Sequence, residues 1–120
     1  MGRRLSMMLL LAFLPLLAGC QTSQSQSMEN LPEIGISHEL LAYYQKYRDS
    51  INPLVFAVSQ DGYWGSYLFC DGHKCQGGSQ PTSRETSDTI ARCNEREAEH
   101  GPCSVFALGL GPPRKYHLID

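Results

Sequence analysis

Much of what would let this 120-residue chain do chemistry alone is missing from it. There is no G-x-S-x-G stretch, so the strand-to-helix elbow that presents a serine nucleophile is excluded. The Gly-rich "CQGGSQ" has no lysine and no helix start behind it, which rules out a phosphate loop. C-x-x-C-H is absent, and covalent haem attachment with it. No apolar run reaches the ~20 residues that a helix needs to cross ~30 Å of hydrocarbon; the stretch Met7–Leu17 is shorter and holds Pro15. Positive charge is also scarce, with ten Lys and Arg against twelve Asp and Glu. Without a basic stripe, nucleic acid is not an expected partner. His38, His73, His100 and His117 lie in polar or terminal stretches and read as surface groups, not general bases. Asp61 and Asp71 could be read as a carboxylate pair, but Asp61 is better explained by a turn. No enzyme, cofactor or metal is expected.

What the chain does have begins at its start. Met1–Gly19 carries Arg3 and Arg4, then the apolar stretch, then small residues, the three parts of a secretory signal. "LAGC", Leu17–Cys20, resembles the bacterial lipoprotein box. That resemblance implies cleavage before Cys20, a diacylglycerol on its thiol and an acylated amino group. Several acyl chains make a stable membrane anchor, since each buried methylene contributes ~0.8 kcal/mol. By the same resemblance, Gln21, in place of the aspartate that signals inner-membrane retention in Gram-negative lipoproteins, implies the outer membrane, facing the periplasm. Losing Arg3 and Arg4 with the leader leaves eight basic against twelve acidic residues, a net charge of −4. Residues 20–36, Gln- and Ser-rich after Cys20, read as a flexible tether with a reach of roughly 20 Å. One small domain, 37–120, follows.

In that domain "SHELLAYYQKYRDSI" predicts a helix with Ser37 as N-cap and Glu39 in its first turn. Leu40, Tyr44, Tyr47 and Ile51 form an apolar stripe at helical spacing, and Asn52-Pro53 ends the helix. "LVFAVSQ" (54–60) and "YWGSYLFC" (63–70) are strands by composition, joined at Asp61-Gly62 by the tight-turn signal of a hairpin. Trp64, Ser66, Leu68 and Cys70 share one face of the second strand, and Tyr63, Gly65, Tyr67 and Phe69 the other. Neither face is polar, so both are expected to be partly covered. Residues 71–83 read as loop, and "TSRE" (82–85) as a capping box opening a second helix that runs to Gly101 with Thr86, Ile90 and Cys93 inward. "CSVFALGL" (103–110) is a further strand, with a last edge strand at 115–118. The order α-β-β-α-β(-β) predicts an α+β fold, a small antiparallel sheet with two helices packed on one face.

"NPLVFAVSQDGYWGSY", "ARC" and "GPCSVFALG" together resemble a family of small secreted bacterial domains that has no assigned biochemical function. In that pattern an FAVS-x-DG-x-x-G hairpin precedes a helix ending in cysteine, and a Pro-Cys pair leads into an aromatic-Ala-x-Gly strand. Phe56, Ala57, Val58, Ser59, Asp61, Gly62, Gly65, Cys93, Pro102, Cys103, Phe106, Ala107 and Gly109 occupy the matching positions, over about residues 52–109. "CDGHKCQGG" departs from the pattern as an insertion. The resemblance implies fold and export, and no catalytic residue.

With Cys20 lipidated, Cys70, Cys75, Cys93 and Cys103 remain. An even number in an exported chain reads as disulfides, with three pairings open. The family-like Cys93 and Cys103 pair by that resemblance, and Cys70 and Cys75 then pair within the insertion, making a disulfide-stapled domain. The competing reading is zinc held by Cys70, His73, Cys75, Cys93, His100 and Cys103, but C-x4-C and C-x9-C depart from usual zinc spacing. The expected role is a non-catalytic envelope lipoprotein that binds an envelope protein or cell-wall component through its sheet or its 71–83 loop, with Asp71, His73 and Lys74 as candidate contacts. The alternatives are an inhibitor of a lysozyme-type cell-wall hydrolase, reaching into a cleft with the stapled loop, and a zinc module.

Overall fold

The computed structural model describes residues 28–72, 75, 77–78 and 80–120. The signal segment, Cys20 and the Gln/Ser run to residue 27 lie outside the described residues, as do His73 and Lys74.

Helix α1 spans His38–Arg48. The Ser37 hydroxyl accepts from the Leu40 amide at 3.0 Å, as its N-cap position requires. A second cap comes from the far end of the chain, where Asp120 Oδ1 accepts from the His38 amide at 2.8 Å. That backbone bond, with the His38 ring beside it, holds the Asp120 carboxyl below its ordinary range; a negative charge suits a helix N-terminus. Leu40, Tyr44 and Tyr47 are buried as the stripe predicts. Ile51 is not: it is 79% exposed, because the helix stops at Arg48. The Asp49 amide donates to Gln45 O, and the Ser50 hydroxyl takes up Tyr47 O, closing the helix one turn earlier than the proline would.

Strand β2 (Pro53–Ser59) is buried at all seven positions. It is the centre of a three-stranded antiparallel sheet, with β3 (Gly65–Phe69) on one side and β4 (Cys103–Leu108) on the other. Pro53 is its first residue, where a missing N–H is tolerated. Against β3 the register places Phe56 opposite Tyr67 and Ala57 opposite Ser66, so alternate residues face opposite ways, while against β4 it slips by one residue, with Phe56 opposite Ala107 and Ala57 opposite Val105. On the Phe56 side lies α1. Tyr44 meets Phe56 and Phe106 edge-on at 5.4 and 5.0 Å, and Tyr47 meets Phe56 at 5.6 Å. Each such pair adds ~0.5–1.5 kcal/mol to the area it buries. The Tyr47 hydroxyl donates to Gly109 O at 2.7 Å, and burial pushes its phenol far above its ordinary range.

On the Ala57 side lies α2 (Ser83–Cys93), tied to β4 by the Cys93–Cys103 disulfide. The sheet is therefore covered on both faces, not one. Two apolar strand faces demand this, since each must be removed from water. The capping box is present, with Thr82 Oγ1 accepting from Glu85 N–H and Glu85 Oε1 from Thr82 N–H. The buried residues of α2 are Thr89 and Cys93, while Thr86 and Ile90 are half-buried. Thr89 can be buried because its hydroxyl donates to Glu85 O, leaving a methyl group to pack. After Cys93 the chain makes a 3-10 turn, Asn94–Arg96, and a short helix α3, Glu97–His100, in place of one continuous helix.

The expected tether is shorter than residue 36. Its last residues form β1 (Ile34–Ile36), which pairs in parallel with β5 (Tyr116–Leu118). Ile34 and Ile36 are core residues. So β5 is not an edge of the main sheet but half of a separate two-stranded one. Arg114, before β5, is only 5% exposed. Its backbone donates to Phe106 O, and its side chain binds Pro32 O, Ser104 Oγ and Val105 O.

Candidate functional site

Asp61-Gly62 does make the β2–β3 turn, but in a five-residue connection, 60–64, in place of the two-residue one expected. The Gly62 amide donates to Ser59 O, and Gly62 takes φ +81 with its α-carbon against Gly35, where a methyl group would strike the Gly35 carbonyl. Asp61 organises the rest. Its Oδ1 accepts from the Ser59 hydroxyl at 2.7 Å and from the Tyr63 amide at 3.0 Å. Its Oδ2 lies 2.9 Å from His100 Nδ1. Burial works to raise the Asp61 carboxyl, but the bonds from Ser59, Tyr63 and His100 outweigh it and hold the group below its ordinary range.

The same turn fixes Trp64. Its amide donates to Ser59 Oγ at 3.1 Å. The His100 ring stacks on the indole at 5.8 Å, within 10° of parallel, and the Arg96 guanidinium lies 4.5 Å from its centroid. Arg96 is in turn held by Glu99. A cation over the indole face is an attractive arrangement. Trp64 Nε1 is buried with no hydrogen-bond partner among the described residues.

Trp64, Tyr63 and Gly65 form one wall of a groove of about 660 Å³, and the α1 residues Glu39, Leu40, Tyr43 and Lys46 form the other. Tyr43 is 38% exposed and Tyr63 51%. Tyr43 stands edge-on to Tyr67 at 5.1 Å, and partial burial raises its phenol above the ordinary value. The result is an aromatic surface on a helix and a strand turn, with the side chains of Glu39 and Lys46 also on its lining. A groove of this size and character suits binding.

Ser59, Asp61 and His100 come together without the geometry of nucleophilic catalysis. The Ser59 hydroxyl donates to the carboxylate and not to the imidazole, and Ser59 is fully buried. Among the described residues His38 and His117 likewise sit beside carboxylates, Asp120 and Glu33.

Of the residues singled out in the sequence, the four cysteines form Cys70–Cys75 and Cys93–Cys103. Those bonds consume the thiolates that the zinc alternative needs, and no group of three ligating side chains is found among the described residues. Asp71 is exposed beside the first disulfide, whereas His73, Lys74 and Cys20 lie outside the described residues. Tyr43, Tyr63 and Trp64 were not legible as a site. Tyr43 sits one residue off the apolar stripe, and Tyr63 and Trp64 read as the start of a strand; an exposed aromatic next to a buried one was the available signal. No family model, curated protein or solved structure matches this chain.

Proposed function

We propose that this chain is a non-catalytic, lipid-anchored module of the bacterial envelope that binds a protein or cell-wall component through the Tyr43–Tyr63–Trp64 groove. The observation that carries the reading is that groove: two exposed tyrosines and a clamped tryptophan on a scaffold braced by two disulfides. Rigid aromatics bind at low entropic cost, because little side-chain freedom remains to be lost. The lipobox-like "LAGC" supports the anchor at Cys20, and the disulfides fit an oxidising compartment.

The test is a photo-crosslinking residue placed at Tyr43, and separately at exposed Gln45 outside the groove, in native envelopes followed by mass spectrometry. A partner captured from position 43 and not from position 45 is the expected result. Equal capture from both, or none from either, overturns the groove as the binding face. If the captured partner is a cell-wall hydrolase whose activity falls on adding the protein, the binding role is inhibition.

A further inference from the structure

Arg114 is a mostly buried cation with no ion pair to a carboxylate among the described residues. Its Nε donates to Pro32 O at 3.1 Å, and its Nη1 donates to Ser104 Oγ at 2.8 Å and to Val105 O at 2.9 Å. All three acceptors are neutral, and no carboxylate pairs with it among the described residues. Burying a charge is costly unless it is paired, and neutral acceptors return only part of the lost hydration. Burial lowers the guanidinium from its ordinary value, yet a guanidinium stays protonated in proteins. Its Nη2 makes no hydrogen bond to a described residue and is not one of the fully buried unpaired groups, so it remains accessible to a ligand.

That side chain lines a cavity of about 450 Å³ together with Pro32, Glu33, Gln60, Pro102 and Ser104. Because Ser104 Oγ accepts from Arg114, its own proton is free to donate into the same space. The two prolines supply apolar wall. Glu33, also on the lining, is turned to His117, with Oε2 2.8 Å from Nδ1.

We propose that this cavity binds a carboxylate group, one oxygen on Arg114 Nη2 and the other on the Ser104 hydroxyl. A monoanion matches the single uncompensated positive charge. A phosphate dianion would add a second negative charge beside Glu33, in a chain that is already net negative. The ligand class is a small carboxylic acid or the free C-terminus of a short peptide, its carbon chain against Pro32 and Pro102. This site is separate from the Tyr43 groove and does not rest on it.

The experiment is a ¹H–¹⁵N NMR titration of the full-length protein in non-ionic detergent with sodium acetate, N-acetyl-dialanine, its C-terminal amide and inorganic phosphate. Saturable shifts at Ser104, Val105 and the Arg114 Nε–H are expected with acetate or the free-acid dipeptide, and none with the amide. Response to acetate alone assigns a small acid; response to the dipeptide assigns a peptide terminus. Arg114→Gln abolishes the shifts. Ser104→Ala, which leaves the other Arg114 bonds in place, weakens binding roughly tenfold, as expected for losing a hydrogen bond to a charged group. No saturable shift with either acid, equal response to the amide, tighter binding of phosphate, or unchanged affinity in Ser104→Ala overturns the proposal.

Discussion

His100 Nδ1 lies 2.9 Å from Asp61 Oδ2, across 39 residues of sequence, and fastens the β2–β3 turn to the end of α3. The backbone repeats the connection, since the Asp61 amide donates to His100 O and the Gln60 amide to Pro102 O. The indole of the groove is thereby held by a carboxylate it does not touch. This link makes the turn sensitive to acid.

Because the folded Asp61 carboxyl is held below its ordinary value, it contributes stability that is full above the unfolded carboxylate range. That contribution is lost as pH falls through the folded value. Urea midpoints should therefore drop between neutral and acidic pH, and the drop should be smaller in Asp61→Asn, which no longer titrates at this position. An identical pH dependence in the two proteins would show that Asp61 does not carry it.

Cys93 is fully buried, and its bond to Cys103 joins helix to strand across the core. Replacing both by serine is expected to cost about 2–3 kcal/mol from the lost loop constraint, with a further penalty for hydroxyls in an apolar site. Guanidinium denaturation measures this. Cys70→Ser with Cys75→Ser should cost less, because that loop is shorter, with a separation of 5 against 10.

Tyr43 and Tyr44 are neighbours in sequence with opposite duties. Tyr44 is 3% exposed and touches Phe56 and Phe106, so Tyr44→Ala should destabilise by about 3–5 kcal/mol. Tyr43→Ala should cost about 1–2 kcal/mol while reducing capture of the groove's partner. Thermal unfolding beside the crosslinking assay separates the two roles. A larger stability loss at Tyr43 than at Tyr44 would make it a core residue.

Cys20→Ser should move the protein from the membrane pellet to the soluble fraction of lysed cells. Retention in the pellet under high-salt washing would remove the lipid anchor from the proposed function.

Most of the fold was legible because its signals are local. Ser37, the Thr82–Glu85 capping box, the Leu40–Tyr44–Tyr47 stripe and Asp61-Gly62 each work within a few residues. The β1–β5 pair was not legible, because three residues at Ile34 acquire strand geometry only from partners some eighty positions away. Arg114 and Thr89 were hidden for another reason. A polar side chain can be buried when neutral groups satisfy it, and composition cannot show whether such groups converge. The two apolar strand faces did carry the information that both needed cover, whereas the one-sided packing was read from the order of the elements.

The β1–β5 pair also sets how load would enter the domain. Its three residue pairs run in parallel, bracketed by Ile34 N–H to Lys115 O and Ile119 N–H to Ile36 O. A pull directed along the strand axis, from the anchor proposed at Cys20, would load this pair. The bonds would then be strained together in shear, not peeled one at a time. Tension on the chain would meet the Arg114 bond to Pro32 O first, which leads into β4, and this small clasp next.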